Sequence, residues 1–237
     1  MKSRVWNGAL ALVVLFSLVT QIMLTALDAA PHAGPPTHEP AVTRFIRLFS
    51  YFTIQSNILL LIGAVTLARD PSRDGRLWRV IRLDALLGIV ITGIVYATIL
   101  AGQVELHGFA WWSNLGFHYI APWAALTGWL FLGPRPRIDA RTLAWSAIWP
   151  ALWIAYTLAH GAVTDWYPYP FADVTQLGLP TVLINLGAVV VIAVVLAMLL
   201  RLLDTRLPSG AATSGERERP AVPRQRSGAE AIADREA

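Results

Sequence analysis

The chain contains no cysteine, which excludes disulfides, thiolate metal sites and a cysteine nucleophile. Charged residues are also scarce, at 14% of 237 residues, whereas soluble domains carry about a quarter. Hydrophobic residues make up 55% of the chain and fall into blocks of about twenty, the length that crosses a hydrocarbon core of about 30 Å. This pattern predicts an integral membrane protein made of helices and disfavours a barrel of short alternating strands.

We predict an all-α fold, a bundle of six transmembrane helices in one domain over residues 1–207. The predicted spans are 6–27, 44–67, 80–101, 111–132, 142–162 and 180–203. A cleaved signal is an alternative for the first span, but its apolar run exceeds the usual signal core of about 7 to 15 residues and favours an anchor. Residues 208–237 have few bulky apolar side chains, so we expect a disordered cytoplasmic tail.

The distribution of arginine and lysine predicts the orientation, because cytoplasmic loops retain positive charge. Most cations lie at the N-terminus, in the second and fourth loops and after the last span, whereas the only cations on the other side are Arg44 and Arg47 at the start of the second span. We therefore expect a multi-pass protein of the cell membrane with both termini in the cytoplasm. The net charge of +4 does not indicate a nucleic-acid partner, because the arginines are spread over short loops.

Two predicted spans carry polar residues near their outer ends. In the second span Thr53, Ser56 and Asn57 share one face at spacings of three and four residues, and in the fourth span Asn114 and His118 do the same. Polar side chains inside a bilayer need partners, so these faces are expected to lie against other helices or a cavity.

Depth in the membrane is predicted by counting residues, because each residue of an α-helix rises about 1.5 Å. Thr53 follows Arg44 by nine residues, and His118 follows Trp111 by seven. If each span is one continuous helix from the outer face, Thr53 lies about 14 Å and His118 about 10 Å along its axis. The two side chains are therefore expected in one layer.

Two interpretations of these polar residues remain open. In the first, Thr, Ser and Asn side chains simply hydrogen-bond between helices, and His118 is a neutral packed imidazole. In the second, Thr53 is a nucleophile and His118 is the base that takes its proton. Pro122 leaves the His118 carbonyl without its usual helical partner and bends the helix, which would open space beside the imidazole.

The fifth loop has the aromatic sequence Asp-Trp-Tyr-Pro-Tyr-Pro-Phe over residues 165–171. Such rings either form a belt at the membrane interface or line the lip of a pocket for an acyl chain. His160 is expected to be an interfacial residue, and His32, His38 and His107 are expected to be solvated. The substrate-binding candidates of the loop are Trp166, Tyr167, Tyr169 and Phe171.

These residues resemble the androgen-induced and androgen-dependent TFPI-regulating membrane protein family, including its bacterial six-helix branch labelled Pr-six-Pr. The similar features are Phe52-Thr53, Asn114 four residues before His118, Pro122 and the aromatic loop, over roughly residues 45–190. The resemblance implies a threonine hydrolase that cleaves fatty acid esters of hydroxy fatty acids inside the bilayer. It assigns Thr53 as the nucleophile and His118 as the histidine.

The function expected from this resemblance is acyl transfer from a lipid ester to Thr53, followed by hydrolysis. Candidate donors for the oxyanion are Ser56, Asn57 and Asn114. No acidic residue lies deep in the outer half of the predicted spans, so a dyad with His118 is expected instead of a triad. The expected partners are the lipid bilayer and a lipid ester, with no cofactor and no metal, and the sequence does not predict the oligomeric state.

Three other classes of protein remain open. A haem-binding electron carrier could use His118 and His160 as ligands. A small-solute transporter is the second class, and a proton-coupled one usually needs an intramembrane carboxylate. The one candidate, Asp84, lies beside Arg79 and Arg82 and is expected to form a surface ion pair. A non-catalytic membrane subunit is the third class.

Overall fold

A computed structural model describes residues 1–29, 39–103 and 105–210, and over these ranges the regular elements are all helical, as the sequence predicts. The π-helical turn Tyr96–Leu100 directly follows the α-helix that ends at Val95. The π-helical turn Gly116–Ile120 joins the α-helix that ends at Leu115 to the one that begins at Ala121. The α-helices are α1 Lys2–Ala26, α2 Ala41–Ser50, α3 Phe52–Arg69, α4 Arg76–Val95, α5 Gly108–Leu115, α6 Ala121–Leu132, α7 Ala140–Ser146, α8 Ile148–Thr164, α9 Val174–Leu177 and α10 Leu179–Arg206.

Five helical stretches in the described ranges are long and apolar enough to cross a membrane: Lys2–Ala26, Phe52–Arg69, Arg76–Leu100, Ala140–Thr164 and Leu179–Arg206. The predicted fourth span corresponds to α5, a π-helical turn and α6, which follow one another without an interruption from residue 108 to residue 132. Neither α5 nor α6 alone has the length of a span.

The predicted second span is interrupted at Tyr51, whose backbone is extended with φ −68° and ψ 127°. Thr53 therefore lies in the first turn of α3, and the depth counted along one helix from Arg44 was wrong. The short α2 is amphipathic, which is typical of a helix that lies in a membrane interface. Its exposed apolar residues recur on one side, at Val42, Ile46 and Phe49.

The main core lies where α1, α3, α4 and α6 pack together, and Val14, Ile89 and Ala121 are completely buried there. A second cluster joins α8 and α10 to the loop between them, around Trp153 and Tyr169. The second cluster holds the aromatic loop against the first turn of α3, where Thr53 lies.

At the opposite end of the bundle, hydrogen bonds and ion pairs join the loops. Asp74 forms ion pairs with Arg79, at 2.8 Å, and with Arg137. The hydrogen bond from Arg79 lowers the pKa of Asp74 well below its usual range. The buried carboxylate of Asp204 in α10 accepts the Arg137 N–H at 2.5 Å and the Ile138 N–H at 2.7 Å.

The start of the predicted tail is also joined to this end. The Arg135 guanidinium donates to the Pro208 carbonyl at 2.9 Å, and the Gly210 N–H donates to the Gly133 carbonyl at 3.1 Å. Residues 208–210 thus pack against the loop before α7 and are ordered, unlike the prediction. The rest of the predicted tail, from residue 211 onward, lies outside the described residues.

Asp84 does not form the expected surface ion pair. It is only 8% exposed, and its carboxylate has no ion-pair partner within the described ranges. The reason is its position on α4, where the 83–86 segment packs into the bundle core, so that the carboxyl lies inside the protein. Arg79 instead pairs with Asp74.

Candidate functional site

A cavity of about 330 Å³ lies at the end of the bundle where α3 begins and is called here the outer cavity, after the orientation that the charge distribution predicts. Its base contains Thr53 from α3, His118 from the π-helical turn before α6, and Tyr169 from the aromatic loop. The mouth is polar and is formed by α1, α2 and the loops beside them. The polar residues lining the mouth are Gln21, Thr25, Asp28, Glu39, Arg44, Arg47 and Gln103.

The Tyr169 hydroxyl contacts the candidate nucleophile, Thr53. Its oxygen lies 3.2 Å from the Thr53 backbone nitrogen and 3.2 Å from Thr53 Oγ1. Thr53 N–H belongs to the first turn of α3 and has no carbonyl partner within the helix, so the tyrosine oxygen accepts it. Either hydroxyl can be the donor in the contact between Tyr169 and Thr53 Oγ1. When Tyr169 donates, the threonine proton is left free for a base.

His118 lies in a π-helical turn and stacks on Tyr96, which lies in the other π-helical turn. The ring centroids are 3.9 Å apart and the rings are inclined by 16°. The His118 Nδ1 atom is buried and has no hydrogen-bond partner among the described residues. In the tautomer with its proton on Nε2, this nitrogen has a free lone pair and can accept a hydrogen bond.

Close packing of α4 against the turn before α6 fixes the position of His118. A Cβ added to Gly93 would lie 2.8 Å from Pro122 Cγ and 3.3 Å from the His118 carbonyl oxygen. Glycine is therefore needed where α4 meets the proline. The backbone around His118 is the π-helical turn Gly116–Ile120, which ends two residues before Pro122.

Thr53 and His118 line the same outer cavity, but no hydrogen bond between their side chains is found. The threonine hydroxyl is paired with Tyr169, and the imidazole Nδ1 is unpaired. Catalytic hydrogen bonds are often long before substrate binds, so this arrangement is compatible with proton transfer in a substrate complex.

The three candidate oxyanion donors occupy different places. Asn114 lines the outer cavity, and its amide lies beside the Tyr96 hydroxyl. Ser56 and Asn57 are completely buried and line neither this cavity nor the smaller one beside it. Ser56 faces α4, and the Asn57 amide donates to the Thr53 carbonyl at 2.9 Å.

The residues of the aromatic loop lie in three different places. Trp166 lines the outer cavity, where the Arg47 guanidinium lies 5.0 Å from its ring centroid. Tyr167 instead packs on Gly161 of α8. Phe171 stacks on Tyr169 and lines a second, smaller cavity.

The two other histidines in the described ranges, His107 and His160, do not line the outer cavity. His160 lines neither cavity, and its Nδ1 lies 3.3 Å from Thr164 Oγ1 on the same helix. The side chain of His107 is 86% exposed, as predicted. His32 and His38 lie outside the described residues. His118 and His160 therefore do not line a common cavity that could hold a haem between them.

Sequence reasoning missed several residues of this site. Tyr96 carries no motif that distinguishes it from other interfacial tyrosines, so its stacking on His118 follows only from the packing of α4. Gln21 and Thr25 do carry a signal, because they are polar, four residues apart and near the outer end of the first span. The acid–arginine pairs of the mouth, Arg44–Asp28 at 2.8 Å and Arg47–Glu39 at 2.6 Å, were not predicted.

Over the described residues, the fold is all-helical and includes five helical stretches that are long and apolar enough to cross a membrane. Its candidate site is a cavity lined by Thr53 and by His118, together with several charged residues. Neither family models, nor curated proteins, nor solved structures give a match to the chain.

Proposed function

We propose that this protein is an intramembrane threonine hydrolase that cleaves lipid esters, with Thr53 as the nucleophile and His118 as the general base. The observation that supports the proposal best is that Thr53 and an imidazole with an unpaired, buried Nδ1 line one cavity. The resemblance to the androgen-induced and androgen-dependent TFPI-regulating family is part of the same proposal. That family would make fatty acid esters of hydroxy fatty acids, or similar esters, the substrate.

The proposal includes six spans in the cell membrane, with both termini in the cytoplasm. The continuous helical path over residues 108–132 would be the sixth span, in addition to the five stretches of sufficient length. The outer cavity then opens toward the external leaflet, and the end with Asp74, Arg137 and Asp204 faces the cytoplasm. The arginine-rich loops support this orientation.

In the first step Thr53 Oγ attacks the ester carbonyl carbon while His118 takes the hydroxyl proton. The carbonyl oxygen becomes an oxyanion, for which the Asn114 amide is the candidate donor at the cavity. The tetrahedral intermediate collapses, the bond to the alcohol oxygen breaks, and the imidazolium of His118 gives its proton to the leaving alcohol.

In the second step a water molecule attacks the acyl carbon of the threonine ester, and His118 takes a proton from it. The bond to Thr53 Oγ breaks, and the oxygen regains its proton. The net reaction consumes one ester and one water and releases one acid and one alcohol. Water reaches this site through the polar mouth of the outer cavity.

The test is ester hydrolysis by purified protein in lipid nanodiscs. Thr53→Ala and His118→Ala are expected to lose activity to background, and Thr53→Ser is expected to keep part of it because it keeps a hydroxyl. Ser56→Ala is the matched control, since Ser56 is a buried hydroxyl on the same helix that lines neither cavity. Full activity in the Thr53→Ala variant would refute the proposal.

A further inference from the structure

A second cavity of about 80 Å³ lies beside the candidate dyad and is called here the side cavity. It shares Thr53, Leu100, His118 and Tyr169 with the outer cavity. The two spaces therefore both border the residues proposed to carry out the reaction. The remaining side-cavity residues are Phe52, Ile91, Thr92, Val95, Pro150, Trp153, Ile154, Phe171, Leu186, Val189, Val190 and Ala193.

The two cavities differ in chemistry. The mouth of the outer cavity contains two arginines and two acids, whereas no charged residue is among the described residues lining the side cavity. The indole N–H of Trp153 is already used, because it donates to the Ser50 carbonyl at 2.9 Å. A polar group buried in the side cavity would find few partners and would lose its hydration, so an apolar group fits there.

The side cavity also reaches the surface that α10 presents to lipid. Its α10 residues run from Leu186 to Ala193, which is about 10 Å along the helix axis. Val190, between them, is 43% exposed. The enclosed space equals about two to three water molecules in volume, so it holds only the first carbons of a chain. A longer chain would continue past Val190 into the bilayer.

We propose that the side cavity binds the acyl chain of the ester and that the alcohol part occupies the outer cavity, an inference that rests on the proposed function. When Thr53 Oγ bonds to the acyl carbon and the ester bond breaks, the acyl chain stays in the side cavity. The alcohol takes its proton from His118 and leaves through the mouth. The side cavity then determines which acyl chains are accepted.

The first test is the acyl-chain preference of Ala193→Phe, in which the added ring takes up space in the side cavity. Acetyl and decanoyl esters of one alcohol are compared in nanodiscs. We expect kcat/KM for the decanoyl ester to fall about tenfold or more while that for the acetyl ester changes little, as for chains excluded from an apolar pocket. Ala188→Phe is the matched control, since Ala188 lies on the exposed surface of α10 and lines neither cavity. Equal effects on both esters would overturn the inference.

A second measurement separates acyl binding from catalysis. Thr53→Ala protein is irradiated with a decanoic acid that carries a diazirine and an alkyne, and the crosslinked peptides are identified by mass spectrometry. Crosslinks to residues 186–193 that unlabelled decanoic acid competes away are the expected result. If wild-type protein hydrolyses esters but these crosslinks are absent, the acyl site is wrong and the hydrolase stands. If the crosslinks form and no ester is cleaved, the binding site stands and the hydrolase is wrong.

Discussion

The Tyr169 hydroxyl contacts both the backbone nitrogen and Oγ1 of Thr53, each at 3.2 Å, although the two residues are 116 positions apart in the chain. This contact joins the aromatic loop to the first turn of α3. Because the tyrosine oxygen accepts the backbone N–H, its proton can be donated to the threonine oxygen. Tyr169 therefore fixes the orientation of the proposed nucleophile.

Tyr169→Phe should lower kcat about tenfold to a hundredfold while KM changes little, because a hydroxyl that donates to the reacting oxygen is lost. The measurement is steady-state kinetics with a soluble ester. Tyr167→Phe is the control, since that ring packs on Gly161 and lines neither cavity. An unchanged kcat for Tyr169→Phe would remove Tyr169 from the mechanism.

The pH dependence of stability should report on the same hydroxyl. Burial raises the pKa of Tyr169 from 10.0 to about 12. Between pH 10 and 12 the folded protein keeps a proton that the unfolded chain has lost, so this contribution to stability is complete below pH 10 and decreases as the pH rises. Thermal unfolding of the wild type should show this alkaline loss, and Tyr169→Phe should show less of it. Identical pH profiles of the two proteins would contradict the assignment.

Gly93→Ala should reduce both stability and activity, because the added Cβ would meet Pro122 Cγ at 2.8 Å and displace the turn that carries His118. Overpacking of this kind costs about 1–3 kcal/mol. Gly187→Ala is the control on α10, where no atom lies within 4 Å of the added Cβ. Thermal unfolding and ester hydrolysis are measured together. Equal behaviour of the two variants would show that the close approach to Pro122 is unimportant.

Single cysteines can test the orientation without interference, since the chain has none of its own. Glu105→Cys and Gln176→Cys are expected to react with a membrane-impermeant maleimide added to intact cells. Arg73→Cys and Ala140→Cys are expected to react only after permeabilisation. All four residues are exposed. Labelling of Arg73→Cys in intact cells would invert the proposed orientation.

Hydropathy alone predicts the long helices, because twenty consecutive apolar residues have few alternatives in a membrane protein. It does not predict that the helix is interrupted at Tyr51, because this residue is neither a proline nor a glycine. There the Trp153 indole donates to the Ser50 carbonyl at 2.9 Å, and the ring of Tyr169 packs edge-on against Tyr51. These contacts come from distant parts of the chain.

The candidate site was predictable to a similar extent. Helical spacing correctly put Ser56 and Asn57 on the inner side of α3, but spacing cannot tell whether such a side faces a cavity or another helix. Ser56 faces α4 because Gly88 leaves room there. The contact of Tyr169 with Thr53 depends on the folding of the aromatic loop, and periodicity in the sequence carries no information about it.

The most direct test of the central claim is to trap the acyl-enzyme. The protein is incubated with an activated decanoyl ester, quenched with acid during turnover and digested, and the peptides are analysed by mass spectrometry. The account predicts one decanoyl group on the oxygen of Thr53, absent in Thr53→Ala and reduced in His118→Ala. Continued ester cleavage with the acyl group on another residue, or with none bound at any time, would contradict it.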